Sequence, residues 1–193
     1  MRKIGLVSSF LIFLLSFNIY FAKNFSFAQE PISSESARLQ LPEHSDGGQA
    51  EKIDYELPYP GLLPDNPLYF LKMVRDRVVS LLISDPRKKA EFDLLQSDKR
   101  LNAGVYLFNK KKFKDAVSIV SKAENYFEQA LQKTKEAKAQ GMKTSEMTNK
   151  LINSSKKHKE VLKSLEEKSP QNFKSNFNIQ LQRVDKFVEE ISD

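Results

Sequence analysis

The chain has no cysteine among its 193 residues. That excludes disulfide staples, a thiolate nucleophile, cysteine-type zinc sites and an acylated lipobox cysteine. No stretch alternates with period two over a useful length, so no sheet is predicted. HExxH, GxSxG and phosphate-loop patterns are missing. There are two histidines. His44 stands between Glu43 and Asp46 in a polar stretch, a cluster with metal-like composition but no fixed ligand geometry. His158 lies on an apolar helical stripe with no carboxylate or nucleophile beside it in sequence, which reads as a core or boundary histidine bonded to a neighbour rather than a general base. No cofactor, metal or small-molecule substrate is implied, and an enzyme is not expected.

Acid is missing from the first 28 residues, which hold Arg2, Lys3 and Lys23. Met1, Arg2 and Lys3 precede an uncharged run from Ile4 to Ala22, and Ser26-Phe27-Ala28 offers small residues for cleavage ahead of Gln29. This is a secretory signal pattern. The run also approaches the ~20 residues that span a bilayer, so an uncleaved N-terminal anchor is the alternative. Both readings place the body outside the cytoplasm, secreted or tethered. Gln29 to Glu56 is rich in Pro, Ser, Gly and Glu and poor in large apolar residues. It is predicted to be a disordered acidic spacer.

The charge is unevenly spread. From Gln29 to Leu57 seven acids face Arg38 and Lys52, whereas from Tyr59 onward 26 basic residues face 18 acidic ones. A basic body favours anionic surfaces. Two basic knots are the candidate contacts: Lys110, Lys111, Lys112 and Lys114, and Lys156 with Lys157. A solvated helix face is the plainer reading of both, and contact with lipid head groups or wall polymers is the sharper one. Aromatic interleaving of the nucleic-acid-binding kind is sparse, so no nucleic-acid partner is expected.

Residues 57–193 carry five helical patterns. The first, LYFLKMVRDRVVSLLIS, has Leu68, Leu71, Val74, Val78 and Leu82 as its apolar stripe, with Pro67 in the first turn and Asp65 or Asn66 as cap. Ser84-Asp85-Pro86 repeats that punctuation and opens the second, whose stripe is Leu94, Leu101, Val105 and Phe108. The third shows Phe113, Val117, Val120, Phe127, Leu131 and Thr134 and ends at Gly141. Thr144 or Ser145 caps the fourth, with Met147, Leu151, Ser154, His158, Val161 and Leu165. Ser169-Pro170 opens the fifth, with Phe173, Phe177, Leu181, Val184, Val188 and Ile191. Short turns between amphipathic helices predict an all-α fold, an antiparallel bundle or a stack of helical hairpins. Asn109 to Leu131 is similar to the turn and second helix of a tetratricopeptide hairpin, with Phe113, Ala116 and Ala123 at the aromatic and small positions. Only one such unit is found, and repeat arrays need about three. Roughly 135 residues suffice for a core without disulfides.

Between spacer and helices lies LPYPGLLPDNPLYFLK. Pro58, Pro60, Pro64 and Pro67 restrict φ and favour extended backbone before them, and Gly61 allows a positive-φ turn. Leu57, Leu62 and Leu63 need cover. The expectation is a stiff clamp laid across the helices, with Tyr59 and Tyr69 as its flat faces. Asp76, Asp85, Glu91, Asp93 and Asp98 are interleaved with Arg75, Arg77, Arg87, Lys88, Lys89, Lys99 and Arg100. Surface pairs at three and four spacing explain most of them. A sharper expectation is a partly buried network of Arg75, Asp85 and Arg100 locking the first two helices together.

PGLLPDNPLYFLK, followed by DPRKKAE and then DKRLNA, resembles a bacterial domain of unknown function. Its signature is Pro-Gly-[Leu/Ile]-Leu-Pro-Asp-x-Pro-x-Tyr-x-Leu-Lys, then an Asp-Pro-x-x-Lys-Ala-Glu helix start and an Arg-Leu segment. The matching positions here are Pro60, Gly61, Pro64, Asp65, Pro67, Tyr69, Leu71 and Lys72, then Asp85, Pro86 and Lys89, then Arg100. Phe92-Asp93-Leu94 stands where the family tends to be richer in Leu and His, and Lys99 stands where an acid is common. The resemblance covers Leu57 to about Leu131 and leaves the last two helices outside it. It implies an exported or membrane-tethered setting, including the outer parts of anti-sigma-like regulators, and no activity. The reading is a non-catalytic interaction or scaffold module of the cell envelope, with an envelope protein or an anionic surface as partner. The alternatives are a sensory domain acting through a partner, or a tetratricopeptide-like adaptor.

Overall fold

The described residues form five helices, two of them with ends set by clear local signals: Asp85-Pro86 at one start and Gly141 after one end. The five are α1 Tyr69–Leu82, α2 Pro86–Asn109, α3 Phe113–Ala139, α4 Ser145–Lys168 and α5 Gln171–Ser192. The computed structural model describes residues 55–192. They belong to the second of two compact units, Gln49–Asp193. The signal pattern, nearly all of the spacer and His44 lie outside the described residues. Tyr55 and Glu56, the last residues read as spacer, lie inside them, and Tyr55 is half-buried.

Asp85 caps α2, its Oδ1 accepting from the backbone N–H of Arg87 at 2.8 Å and of Lys88 at 3.3 Å, with Pro86 at the first helical position. α3 ends in a reversal at Gly141, whose φ is +77°. Gly141 N–H reaches the carbonyl of Lys138, and Met142 N–H that of Ala137. Three expected caps differ. α1 begins at Tyr69, after a turn in which Asn66 Oδ1 accepts from Leu68 N–H, while Asp65 is drawn elsewhere. Thr144 holds the N-cap position of α4 without a side-chain bond. Ser169 Oγ donates back to the Leu165 carbonyl, so it closes α4 rather than capping α5.

The four long helices form two antiparallel hairpins, α2–α3 and α4–α5, stacked in the same direction. Ser97 Oγ reaches Ala123 O, and Phe108 meets Phe113 edge-on nearer the turn, which is the antiparallel register of α2 and α3. Lys150 faces Glu91 while His158 faces Asp98, so α4 runs parallel to α2. Phe113 meets Phe173, and Lys135 pairs with Glu190, so α5 runs parallel to α3. Among the described residues there is no strand, and the all-α stacked-hairpin expectation holds. Phe127, stacked on Phe187 at 5.2 Å, and Phe177, edge-on to Phe108, fill the space between hairpins with Leu101, Leu151 and Leu162. Gly104 permits the close crossing of α2 and α3, since a Cβ there would stand 2.4 Å from Val120 Cγ2.

α1 departs from expectation. The stripe read as its buried face points outward: Leu71 is 62% exposed and Leu82 76%, and Leu68, Val74 and Val78 are exposed too. Its buried residues are Tyr69 and Asp76. Periodicity specified an apolar face for α1, but the stacked hairpins are already filled by their own aromatics and leave no groove for it.

Candidate functional site

The proline segment is tied down through its carbonyls. Leu57 and Leu63 pack on the core and Pro60 is buried. Asn102 Nδ2 on α2 donates to Pro58 O at 2.9 Å. Lys72 Nζ on α1 donates to Pro60 O at 2.7 Å, and burial pulls this amine below its ordinary range. Gly61 turns the segment with φ +69°. Asp65 accepts from both Lys110 at 3.2 Å and Lys112 at 2.9 Å in the α2–α3 turn. Hydrogen bonds from these two lysines hold its carboxyl below the usual carboxylate range. Half of the first basic knot therefore faces its own chain. In the second, Lys157 pairs with Glu160 at 2.8 Å, while Lys111, Lys114 and Lys156 are exposed. Pro58 and Pro64 are half-buried, and Pro67 is exposed.

α1 meets the bundle through Asp76. Arg75 donates to Asp76 Oδ1 at 2.8 Å, and the Arg100 guanidinium approaches Oδ2 at 3.9 Å. Arg100 also donates to Gln96 and lies over the Tyr126 ring at 4.1 Å. The carboxylate of the expected Arg75–Asp85–Arg100 network is thus Asp76. Asp85 is engaged by the backbone at the start of α2, where it caps, and cannot also turn inward. Lys89 and Asp93 pair one turn apart, with Asp93 fully buried and its carboxyl raised by desolvation.

A second polar centre lies deep between the hairpins. His158 is 0% exposed. Its Nδ1 contacts Glu124 Oε1 at 2.9 Å and its Nε2 contacts Asp98 Oδ1 at 3.0 Å. Ser154 Oγ donates to Asp98 Oδ1 at 2.7 Å, and the Tyr55 hydroxyl donates to Asp98 Oδ2 at 2.5 Å. Burial by itself pulls the imidazole down, but the charges and hydrogen bonds of Glu124 and Asp98 outweigh it and raise His158 to about 9. The ring is an imidazolium at neutral pH. Burial, then Asp98, pushes the Tyr55 phenol well above its ordinary value. Glu124 Oε2 is buried without a hydrogen-bond partner among the described residues. The centre joins α2, α3, α4 and the chain before α1. Ser154 bonds Asp98 rather than His158, so the hydroxyl and the imidazole do not form a nucleophile–base pair. Among the described residues no group of His, Asp and Glu could hold a metal ion.

His158 was legible as a core or boundary histidine bonded to a neighbour, but the identity of its carboxylate partners was not. A signal existed. Asp98 falls four residues after Leu94 and three before Leu101, and Glu124 four after Val120 and three before Phe127. Both acids sit inside apolar stripes. The reading of surface pairs at three and four spacing fails for Asp98 and Asp76, which are buried, and Arg87 meets Asp85 from only two residues away, across the cap.

A groove of about 520 Å³ runs between the proline segment and α1, lined by residues including Tyr59, Leu71, Lys72, Arg75 and Lys99. It is open and basic.

The fold and these contacts define a helical-hairpin domain fronted by a proline clamp and carrying one helix whose apolar face is covered by nothing among the described residues. The chain belongs to the family described as "Domain of unknown function (DUF5667)", which matches residues 61–172. The family therefore extends past the Leu131 limit of the resemblance, through α4 and into the first turn of α5. No curated protein and no solved structure matches the chain.

Proposed function

We propose that this protein is a non-catalytic interaction module acting outside the cytoplasm, at the cell envelope. The stacked hairpins are its rigid platform and α1 its contact element. The carrying observation is the outward apolar face of α1, held on the platform through Tyr69, Lys72 and Asp76 and covered by nothing among the described residues. Exposed apolar surface concentrated on one element marks an interaction site. The polar centre around His158 supports a scaffold role, because His158, Asp98, Glu124 and Ser154 are buried. Export rests on the signal pattern of the first 28 residues. Among the described residues no helix is long and apolar enough to cross a membrane.

The test is site-specific photo-crosslinking in intact cells. A photoreactive residue in place of Val78 on α1 should give adducts, and one in place of Lys163 on the exposed side of α4 should not. A phosphatase reporter that works only outside the cytoplasm, fused after Asp193, should be active. No adduct from Val78 would overturn the contact role, and a silent but intact reporter would overturn the location.

A further inference from the structure

α1 has a second asymmetry besides its exposure. Successive helical residues turn by about 100°. On that wheel Phe70, Leu71, Val74, Val78, Leu81 and Leu82 form one continuous outward sector, and all six are exposed. Arg77 borders the sector beside Phe70, and Arg75 borders it beside Leu82; both are exposed. The only acid of the helix, Asp76, is buried on the opposite side. An apolar face edged on both flanks by arginine suits the boundary between acyl chains and head groups, where long basic side chains reach back to phosphate.

The surroundings continue the pattern. The groove beside α1 holds Lys72, Arg75 and Lys99 and no acid. Lys99 has no ion pair among the described residues. Tyr59, on the groove's rim, is largely exposed and suits an interface where one end of the ring is apolar and the other wet. Charge also argues against a second copy as the occupant. Two α1 faces packed together would bring two Arg77 side chains to the rims with no acid of the opposing helix to meet them, because the one acid of α1, Asp76, is buried and already pairs with its own Arg75.

We propose that α1 is a membrane-surface helix: its outward face enters the interfacial layer of an anionic bilayer, with Arg77 and Lys99 on the lipid phosphates. This rests on the interaction-module reading and names its partner. α1 lies in the membrane plane, and the hairpins remain in water.

The absence of cysteine makes the test direct. In the chain from Gln29 onward, which keeps the second compact unit whole, Val78→Cys and Lys163→Cys are each labelled with a polarity-sensitive fluorophore. Vesicles of phosphatidylglycerol mixed with phosphatidylcholine should shift the Val78 label to the blue and leave the Lys163 label unchanged. Phosphatidylcholine alone should do little to either. Val78→Glu should weaken partitioning roughly tenfold or more, with an unchanged melting curve because the side chain faces solvent. Arg77→Gln with Lys99→Gln should weaken it about 25-fold, at roughly fivefold per basic residue. Lys114→Gln with Lys156→Gln should have a much smaller effect. The proposal is overturned if the Val78 label ignores anionic vesicles, or if the lysine pair matters and Val78→Glu does not. A Val78 shift that needs only a higher protein concentration identifies a second copy and overturns the lipid. Val78 crosslinks to a protein in cells, with no vesicle response, overturn the lipid and leave the interaction-module reading standing. Silence in both assays overturns both.

Discussion

α1 and α4 look alike on paper and differ in space. Each carries an apolar stripe at three and four spacing. That of α1 is the more apolar, with Leu71, Val74, Val78 and Leu82, yet it is exposed. That of α4 includes Ser154 and His158, and both are buried. Burial here follows from having a partner more than from hydrophobicity. α4 is one half of a hairpin, laid against α5 and α2, and its polar stripe members meet carboxylates on α2 and α3. α1 is joined to the platform through a few polar and aromatic contacts, and its apolar side faces outward. Hydrophobic periodicity therefore specifies that a helix has a face, and says nothing about what will cover it.

The comparison can be broken most sharply at the buried centre. Asp98→Ala removes the acceptor used by Ser154, Tyr55 and His158 Nε2. A buried cation and two hydroxyls would lose their partner, so a loss of about 3–5 kcal/mol is expected in urea unfolding followed by circular dichroism. A loss below about 1 kcal/mol would mean that the centre can relax or admit water.

The same centre should make stability fall with rising pH. His158 titrates at about 9 in the folded protein and near 6.5 unfolded. Below pH ~6.5 it is protonated in both states and its contribution is complete. Between there and about pH 9 the unfolded chain releases the proton that the folded chain keeps, so stability declines across that window, by on the order of 3 kcal/mol. Above it the contribution is gone. Unfolding midpoints measured across this range should flatten in His158→Gln.

A smaller effect is expected at the clamp. Gly61 adopts φ +69°, and a Cβ there meets nothing within 4 Å, so the penalty for a larger residue is conformational. Gly61→Val should destabilise by about 1–2 kcal/mol, read from the melting curve. The smallest effect belongs to α1. Leu82→Ser, at an exposed position, should change unfolding free energy by less than about 0.5 kcal/mol. A loss comparable to that at Asp98 would mean that the outward face is covered in solution.

Much of this architecture is legible in the sequence alone. Pro86 after Asp85, Gly141 after α3 and the 3.6-residue stripes of α2 to α5 are local signals, readable because capping, φ restriction and periodicity act within a few residues. The proline segment was legible as rigid, since proline limits φ wherever it stands. The anchors of that segment were not, because Asn102, Lys110 and Lys112 lie more than 40 residues from the groups they hold. For the same reason Asp76 could not be chosen over Asp85 as the partner of Arg100.

The sequence by itself determined the helices, the cap at Asp85 and the reversal at Gly141, the apolar faces and the lack of covalent staples, because each follows from residue chemistry within one or two turns of chain. Only the tertiary structure decided that the hairpins stack in parallel, that His158 stands between Asp98 and Glu124, and that the apolar face of α1 remains outside. Those outcomes depend on which surfaces fill each other first. Phe127, Phe177 and Phe187 occupy the space between the hairpins, and no local pattern in α1 records that this space is already taken.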